Sequence, residues 1–245
     1  MYREYQPDIL LSPYIENYWS FTGFPVIGEP VMVFPDGCVD IIFRYDKASG
    51  SFRPAIVGTT TSYIEVTSEY IHSFGVRFKP AGITAFTRVP VEEFTNRNVD
   101  LELIDTIFEK SFFEVLPEQK TIWELMAYMN HYLTNRLPYV YHTDKQIICA
   151  VDFIQFSKGQ LSLSKVASEI CLGQRQFERK FKSKIGVSPK TFAKVIRFKH
   201  AMRCLQNYPE KDLLSVAIEC GYYDHTHLIK DFKALSGSAP TSFRR

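Results

Sequence analysis

The stretch Val216-Ala217-Ile218-Glu219-Cys220-Gly221-Tyr222-Tyr223-Asp224-His225-Thr226-His227-Leu228-Ile229-Lys230-Asp231-Phe232-Lys233-Ala234-Leu235-Ser236-Gly237-Ser238-Ala239-Pro240 decides how the C-terminal part of this chain folds. It reads as a short helix, a tight turn at Gly221-Tyr222-Tyr223-Asp224 and a second helix with polar residues along its outer face. The same pattern occurs once before. Val166-Ala167 recurs as Val216-Ala217, Phe177 as Leu228, Arg179 as Lys230, Phe181-Lys182 as Phe232-Lys233, Gly186 as Gly237, Pro189 as Pro240 and Phe192 as Phe243. The offset is 50 before the turn and 51 after it, so the second turn carries one extra residue. Two helix-turn-helix units are predicted, over about 161–185 and 212–237, joined by a central helix over about 189–207. Ser188-Pro189 starts that helix with a capping side chain before a proline at the first helical position. Its apolar positions Phe192, Val195, Ile196, Met202 and Leu205 suit packing on both sides. Seven helices in all are expected in this half.

Charge separates this half from the rest. The chain has 245 residues and a formal net charge of +2. Residues 1–145 hold 12 Lys and Arg against 19 Asp and Glu, or −7, and residues 146–245 hold the remaining 17 against 8, or +9. A compact basic module beside an acidic one suits a polyanion partner, because Lys and Arg that neutralise phosphates supply most sequence-independent affinity for DNA. The competing reading is a merely solvated charged face.

The first hundred residues read as strands. Val31-Met32-Val33-Phe34, Val39-Asp40-Ile41-Ile42-Phe43, Ala55-Ile56-Val57, Tyr63-Ile64-Glu65-Val66 and Ser73-Phe74-Gly75-Val76-Arg77-Phe78 are β-branched or aromatic. Turn chemistry at Pro35-Asp36-Gly37 and Lys79-Pro80-Ala81-Gly82 breaks them, which predicts an antiparallel barrel or sandwich. From Leu101 the spacing becomes helical through Leu103, Ile104, Ile107 and Phe108, and again after Pro117 through Trp123, Met126, Ala127 and Leu133. The expected class is therefore α+β with two domains: 1–137, a β-rich barrel closed by two helices, and 138–245, all helical.

Several chemistries lack their signatures. There is no G-x-S-x-G, Walker loop, G-x-G-x-x-G or H-E-x-x-H. The five cysteines, Cys38, Cys149, Cys171, Cys204 and Cys220, form no C-x-x-C and read as buried free thiols. His225 and His227 stand two apart on a predicted helix and point about 200° from each other, so they are not expected to share a metal. No metal or other cofactor is expected. No apolar run is long enough to span a bilayer and the N-terminus lacks a signal peptide, so a cytoplasmic address and no membrane partner are expected.

The repeat resembles the DNA-binding domain of the AraC/XylS family of bacterial transcription regulators, nearly residue by residue over Val216-Ala217-x2-Cys220-Gly221-Tyr222-x-Asp224-x2-His227-x2-Lys230-x-Phe232-Lys233-x3-Gly237-x2-Pro240. In the first copy Gly173 stands where the family often has a capping Ser. Residues 1–137 resemble the aromatic-rich N-terminal domain of a regulator subfamily through Tyr5-x-Pro7, Tyr18-Trp19, Pro35-Asp36-Gly37, Gly58 and Gly75-Val76-Arg77-Phe78-x-Pro80. Such domains commonly bind an effector or mediate dimerisation, often on a cupin-like barrel.

The resemblance implies a sequence-specific, effector-responsive transcription regulator of the activator kind, not an enzyme. Its partners would be double-stranded DNA, a small-molecule effector, RNA polymerase and a second copy of the chain. It puts Gln174, Arg175, Glu178, Arg179 and Lys182 of the first recognition helix, and His225, Thr226, His227 and Lys230 of the second, at the major groove. Arg175 and Arg179 share a face and can each fork two donors onto guanine. Tyr18, Trp19, Phe43, Arg77 and Phe78 are the candidates for an effector pocket, with plain packing and a surface salt bridge as the rival readings. Two other classes remain as alternatives. A cupin-like metal-dependent enzyme is disfavoured because His72 is the only histidine before His131. A DNA-repair alkyl-transfer protein is disfavoured because Cys38 lies beside Asp36 and Asp40, the wrong field for a thiolate.

Overall fold

A computed structural model describes residues 1–23, 30–46, 50–66, 72–101, 104 and 107–244. The chain divides into two compact units. Unit 1 comprises Met1–Val31, Cys38–Gly58 and Thr67–Thr143, and unit 2 comprises Met32–Gly37, Thr59–Val66 and Asp144–Arg245.

Unit 1 is built on a six-stranded antiparallel sheet with the order β1-β2-β7-β4-β5-β8. The strands are β1 (Tyr2–Tyr5), β2 (Ile15–Thr22), β4 (Val39–Asp46), β5 (Ser51–Val57), β7 (His72–Phe78) and β8 (Asn98–Asp100). Among the described residues β1 and β8 each pair on one side only, so the expected barrel is an open sheet. Strand β4 shows why the sequence reads as β. Val39, Ile41 and Phe43 alternate into the core while Asp40, Ile42 and Arg44 face the other way.

Helices α1 (Lys110–Val115) and α2 (Ile122–Arg136) pack against this core. Thr121 and Glu124 start α2 with a reciprocal capping box, and the Tyr18 hydroxyl donates to Asn130 Oδ1 of α2 at 2.8 Å. Phe43 touches Phe74, Phe108 and Phe112, and Phe112 stacks on Tyr128 at 5.1 Å. The helix expected from Leu101 does not form at Ile104, Ile107 and Phe108, which are buried in non-helical chain; Leu103 lies outside the described residues. Apolar spacing there marks burial alone.

Among its described residues unit 2 carries six α-helices: α3 (Lys145–Phe156), α4 (Leu163–Glu169), α5 (Gln174–Ile185), α6 (Pro189–Asn207), α7 (Leu213–Glu219) and α8 (His225–Ser236). A 3-10 turn at Pro240–Phe243 takes the place of the seventh expected helix. Asp144, Ser162, Ser188, Asp212 and Asp224 each accept backbone N–H groups at a helix start.

Helix starts α4 and α7 are 50 residues apart, and α5 and α8 are 51 apart (163 to 213, 174 to 225), so the extra residue sits in the second turn. Unit 2 also takes in two segments from the first third of the chain, including strand β6 (Ile64–Val66), which pairs with β3 (Val31–Val33). Phe34 packs edge-on against Phe198 and Phe243, and the Thr59 hydroxyl donates to the Ile185 carbonyl at 2.9 Å.

The two turns differ in one strained position. Gly221 begins the second turn with φ +75°, which glycine adopts freely, while Cys171 holds the equivalent place in the first turn with φ +54°. A left-handed conformation costs an L-residue about 1–2 kcal/mol. Cys171→Gly is therefore expected to stabilise unit 2 by about 1 kcal/mol in urea denaturation. Gly221→Ala is expected to destabilise it by about as much or more. Equal midpoints for both variants and the parent chain would show that neither turn is strained.

Candidate nucleic-acid interface

Helices α5 and α8 are the second helices of the two helix-turn-helix units, and their faces are sharply divided. On α5, Phe177, Phe181 and Ile185 are buried, and Gln174, Arg175, Glu178, Arg179 and Lys182 are all exposed. On α8, Leu228, Phe232 and Leu235 are buried, and His225, Thr226 and Lys230 are exposed. Arg175, Arg179 and Lys230 make no ion pair among the described residues, so their cations face solvent. Gln174 Nε2 lies 3.4 Å from Glu178 Oε1 along the same face.

Neighbouring basic residues serve the scaffold instead. Lys180, next to Arg179, turns inward to Asp144 Oδ2 at 3.0 Å and Gln146 Oε1 at 3.0 Å, tying α5 to the start of α3. Lys194 of α6 pairs at 3.1 Å with Asp231, which is 6% exposed on the inner side of α8. Nothing in the local sequence marked Asp231 as an anchor, since its partner lies on another helix.

One predicted groove residue stands apart from the others. His227 is half-buried, with its ring edge-on to Tyr222 at 5.2 Å and its Nε2 3.9 Å from Asp231. It braces α8 against the turn, while Asp224 accepts its backbone N–H at 2.7 Å. Tyr223, which the repeat marked only as turn, is 90% exposed just before the start of α8. Helix α5 has no such start. Gly173 stands at its N-cap without a side-chain acceptor.

The five effector-pocket candidates of unit 1 differ in their surroundings. Tyr18, Phe43 and Phe78 are fully buried in the core. Trp19 donates its Nε1–H to Asp40 at 2.7 Å, and Arg77 pairs with the same carboxylate at 3.2 Å. A Cβ on Gly75 would lie 2.0 Å from the Trp19 ring, so the glycine makes room for the indole. A cavity of about 570 Å³ opens elsewhere, with Tyr45, Phe52, Phe74, Ile122 and Leu125 on its apolar wall and His72 and Lys120 among its polar groups.

The thiols are not uniformly buried as expected. Cys204 and Cys220 are buried, Cys38 is intermediate, and Cys149 and Cys171 are exposed. Burial, reinforced by the adjacent Cys204, pushes the Cys220 thiol up to about 12. Partial burial first, and then the Lys158 cation, lower His200 from its ordinary value.

Comparison with known proteins fits this geometry. Residues 166–245 match the family described as a helix-turn-helix domain, and residues 3–100 match a domain of unknown function, DUF6597. Over 88 residues the chain is 30% identical to the HTH-type transcriptional regulator MtrA of Neisseria gonorrhoeae, a match covering 36% of this chain and 29% of that regulator. The C-terminal region is a helix-turn-helix domain. The chain is also similar to the C-terminal domain of AraT, a response regulator from Geobacillus stearothermophilus, at 26% identity over 42% of this chain and 85% of that one, with a TM-score of 0.39. Across both units the chain is similar to ToxT from Vibrio cholerae, at 12% identity over 93% of this chain and 96% of that one, with a TM-score of 0.44. Among the described residues no helix is long and apolar enough to cross a membrane.

Proposed function

We propose that this protein is a sequence-specific DNA-binding transcription regulator and not an enzyme, with α5 and α8 entering successive major grooves. The observation that carries this reading is the matched division of the two helices. In each, the aromatic or aliphatic face is buried and the opposite face presents uncommitted donors: Arg175 and Arg179 on α5, His225, Thr226 and Lys230 on α8. Arg175 and Arg179 suit guanine O6 and N7, Glu178 suits a cytosine amino group, and Lys182 suits either a base or a phosphate. Helix α6, with 19 residues, is about 28 Å long, on the scale of the roughly 34 Å between successive major grooves. Because the two recognition helices differ in sequence, one chain should cover a non-palindromic site of about 16–20 base pairs. His227, braced against Tyr222, is assigned to positioning α8 rather than to base contact.

The cavity beside α2 is where an effector fits; Tyr18, Trp19, Phe43, Arg77 and Phe78 are not among its lining residues. The lining of that cavity suits a small, largely apolar molecule with one polar end. Pairing of two copies, contact with RNA polymerase and activation of transcription belong to the same proposal.

The test is substitution at the readers. Arg179→Ala and Lys230→Ala should each cost roughly 1–3 kcal/mol on the true site and relax preference at one or two base pairs of its own half of the footprint. Equal losses on specific and random DNA would assign both side chains to the phosphate backbone. Footprints showing a palindrome occupied only by two chains would overturn the two-helix reading.

A further inference from the structure

Three ligand-bearing side chains that DNA reading does not use converge within unit 2. His200 and Cys204 stand four apart on α6 and so share one face, and Cys220 ends α7 immediately before the turn that aims α8. Cys204 Sγ lies 3.7 Å from Cys220 Sγ and 3.8 Å from His200 Nε2, and one ligand atom from each of the three falls within 4.8 Å of the others. Cys220 is 0% exposed and Cys204 6%, while His200 is only partly covered and leaves an approach from solvent.

The two edges that meet at Cys204 Sγ, 3.7 and 3.8 Å, match those of a coordination tetrahedron, and the third, between His200 and Cys220, lies within 4.8 Å. Metal–sulfur bonds of about 2.3 Å and metal–nitrogen bonds of about 2.0–2.1 Å give a sulfur–sulfur edge of roughly 3.8 Å and a sulfur–nitrogen edge of roughly 3.6 Å. A disulfide needs the two sulfurs at about 2.05 Å, far closer than they lie. We propose that His200, Cys204 and Cys220 form a zinc(II) site in the DNA-binding domain, with water at the fourth position. On binding, each thiol releases its proton to solvent and forms a thiolate–zinc bond, so the two thiolates cancel the charge of the ion. The ion would join α6 to the end of α7, next to Gly221, and stiffen the second recognition unit.

Cobalt(II) added to the reduced, metal-free full chain is the probe. One equivalent should bring up thiolate-to-metal charge-transfer absorption and the ligand-field bands of a tetrahedral ion, and zinc(II) should displace both. Cys204→Ser and Cys220→Ser should each abolish the charge-transfer band. His200→Asn should weaken binding at least about tenfold. Cys149→Ser and Cys171→Ser, at exposed thiols, should leave it unchanged. X-ray absorption of the zinc-loaded native chain needs no variant and should show two sulfur neighbours at about 2.3 Å. No charge-transfer band, a band that follows Cys149 or Cys171, or a zinc shell without sulfur would overturn the proposal.

Discussion

Raising salt from 50 to 200 mM is expected to weaken DNA binding by the full chain about 10³- to 10⁵-fold, the loss that accompanies neutralising about six to ten phosphates. The basis is the placement of charge. Residues 146–245 carry 17 Lys and Arg against 8 Asp and Glu. Some of those cations are already committed, Lys180 to Asp144, Lys194 to Asp231 and Lys211 to Glu219. Among the described residues Arg175, Arg179 and Lys230 are not, and they lie on the exposed faces of α5 and α8. Fluorescence anisotropy across a salt series measures the slope. A flat response would mean that the +9 is only a solvated surface and that the DNA-binding reading fails.

Phe232→Ala is expected to cost roughly 3–5 kcal/mol of stability, enough to unfold the second helix-turn-helix in a marginal domain. Phe232 is fully buried, 4.8 Å from the ring of Phe198 on α6 and 5.6 Å from that of Phe243. Deleting the ring leaves a cavity at the place where α8, α6 and the C-terminal turn meet. Far-ultraviolet circular dichroism in urea reads the loss of helix, because both tryptophans, Trp19 and Trp123, lie in unit 1 and report on that unit. Lys233→Ala, one residue along and exposed, is the control and should stay within about 0.5 kcal/mol. A Phe232→Ala midpoint as close to the parent as the control would show that α8 is not held by this packing.

The doubled helix-turn-helix was legible because its signals are local. Caps at Ser162, Ser188 and Asp212, left-handed glycines at Gly186 and Gly237, and apolar spacing at Phe177 and Phe181 or Leu228 and Phe232 each act within one or two helical turns. The extra residue of the second turn was equally local and appears between α7 and α8 as read. Local reading failed at Ile104, Ile107 and Phe108. Chain that lines a core without being helical carries the same apolar spacing, and only the rest of the fold tells the two apart.

By itself, then, the sequence determined the helical repeat, its central helix, the exposed polar faces of α5 and α8 and the separation of charge. Each of those follows from neighbours along the chain. The tertiary structure alone decided whether the sheet closes, because closure depends on β1 and β8, almost a hundred residues apart, finding each other. It alone turned Lys180, Lys194 and His227 inward while Arg179 and Lys230 found no carboxylate among the described residues, since residue type cannot say where a carboxylate such as Asp144 or Asp231 will lie. It brought Phe34 and Thr59 into the helical unit and Cys220 against Cys204 and His200, because packing between elements, not spacing within one, sets those distances.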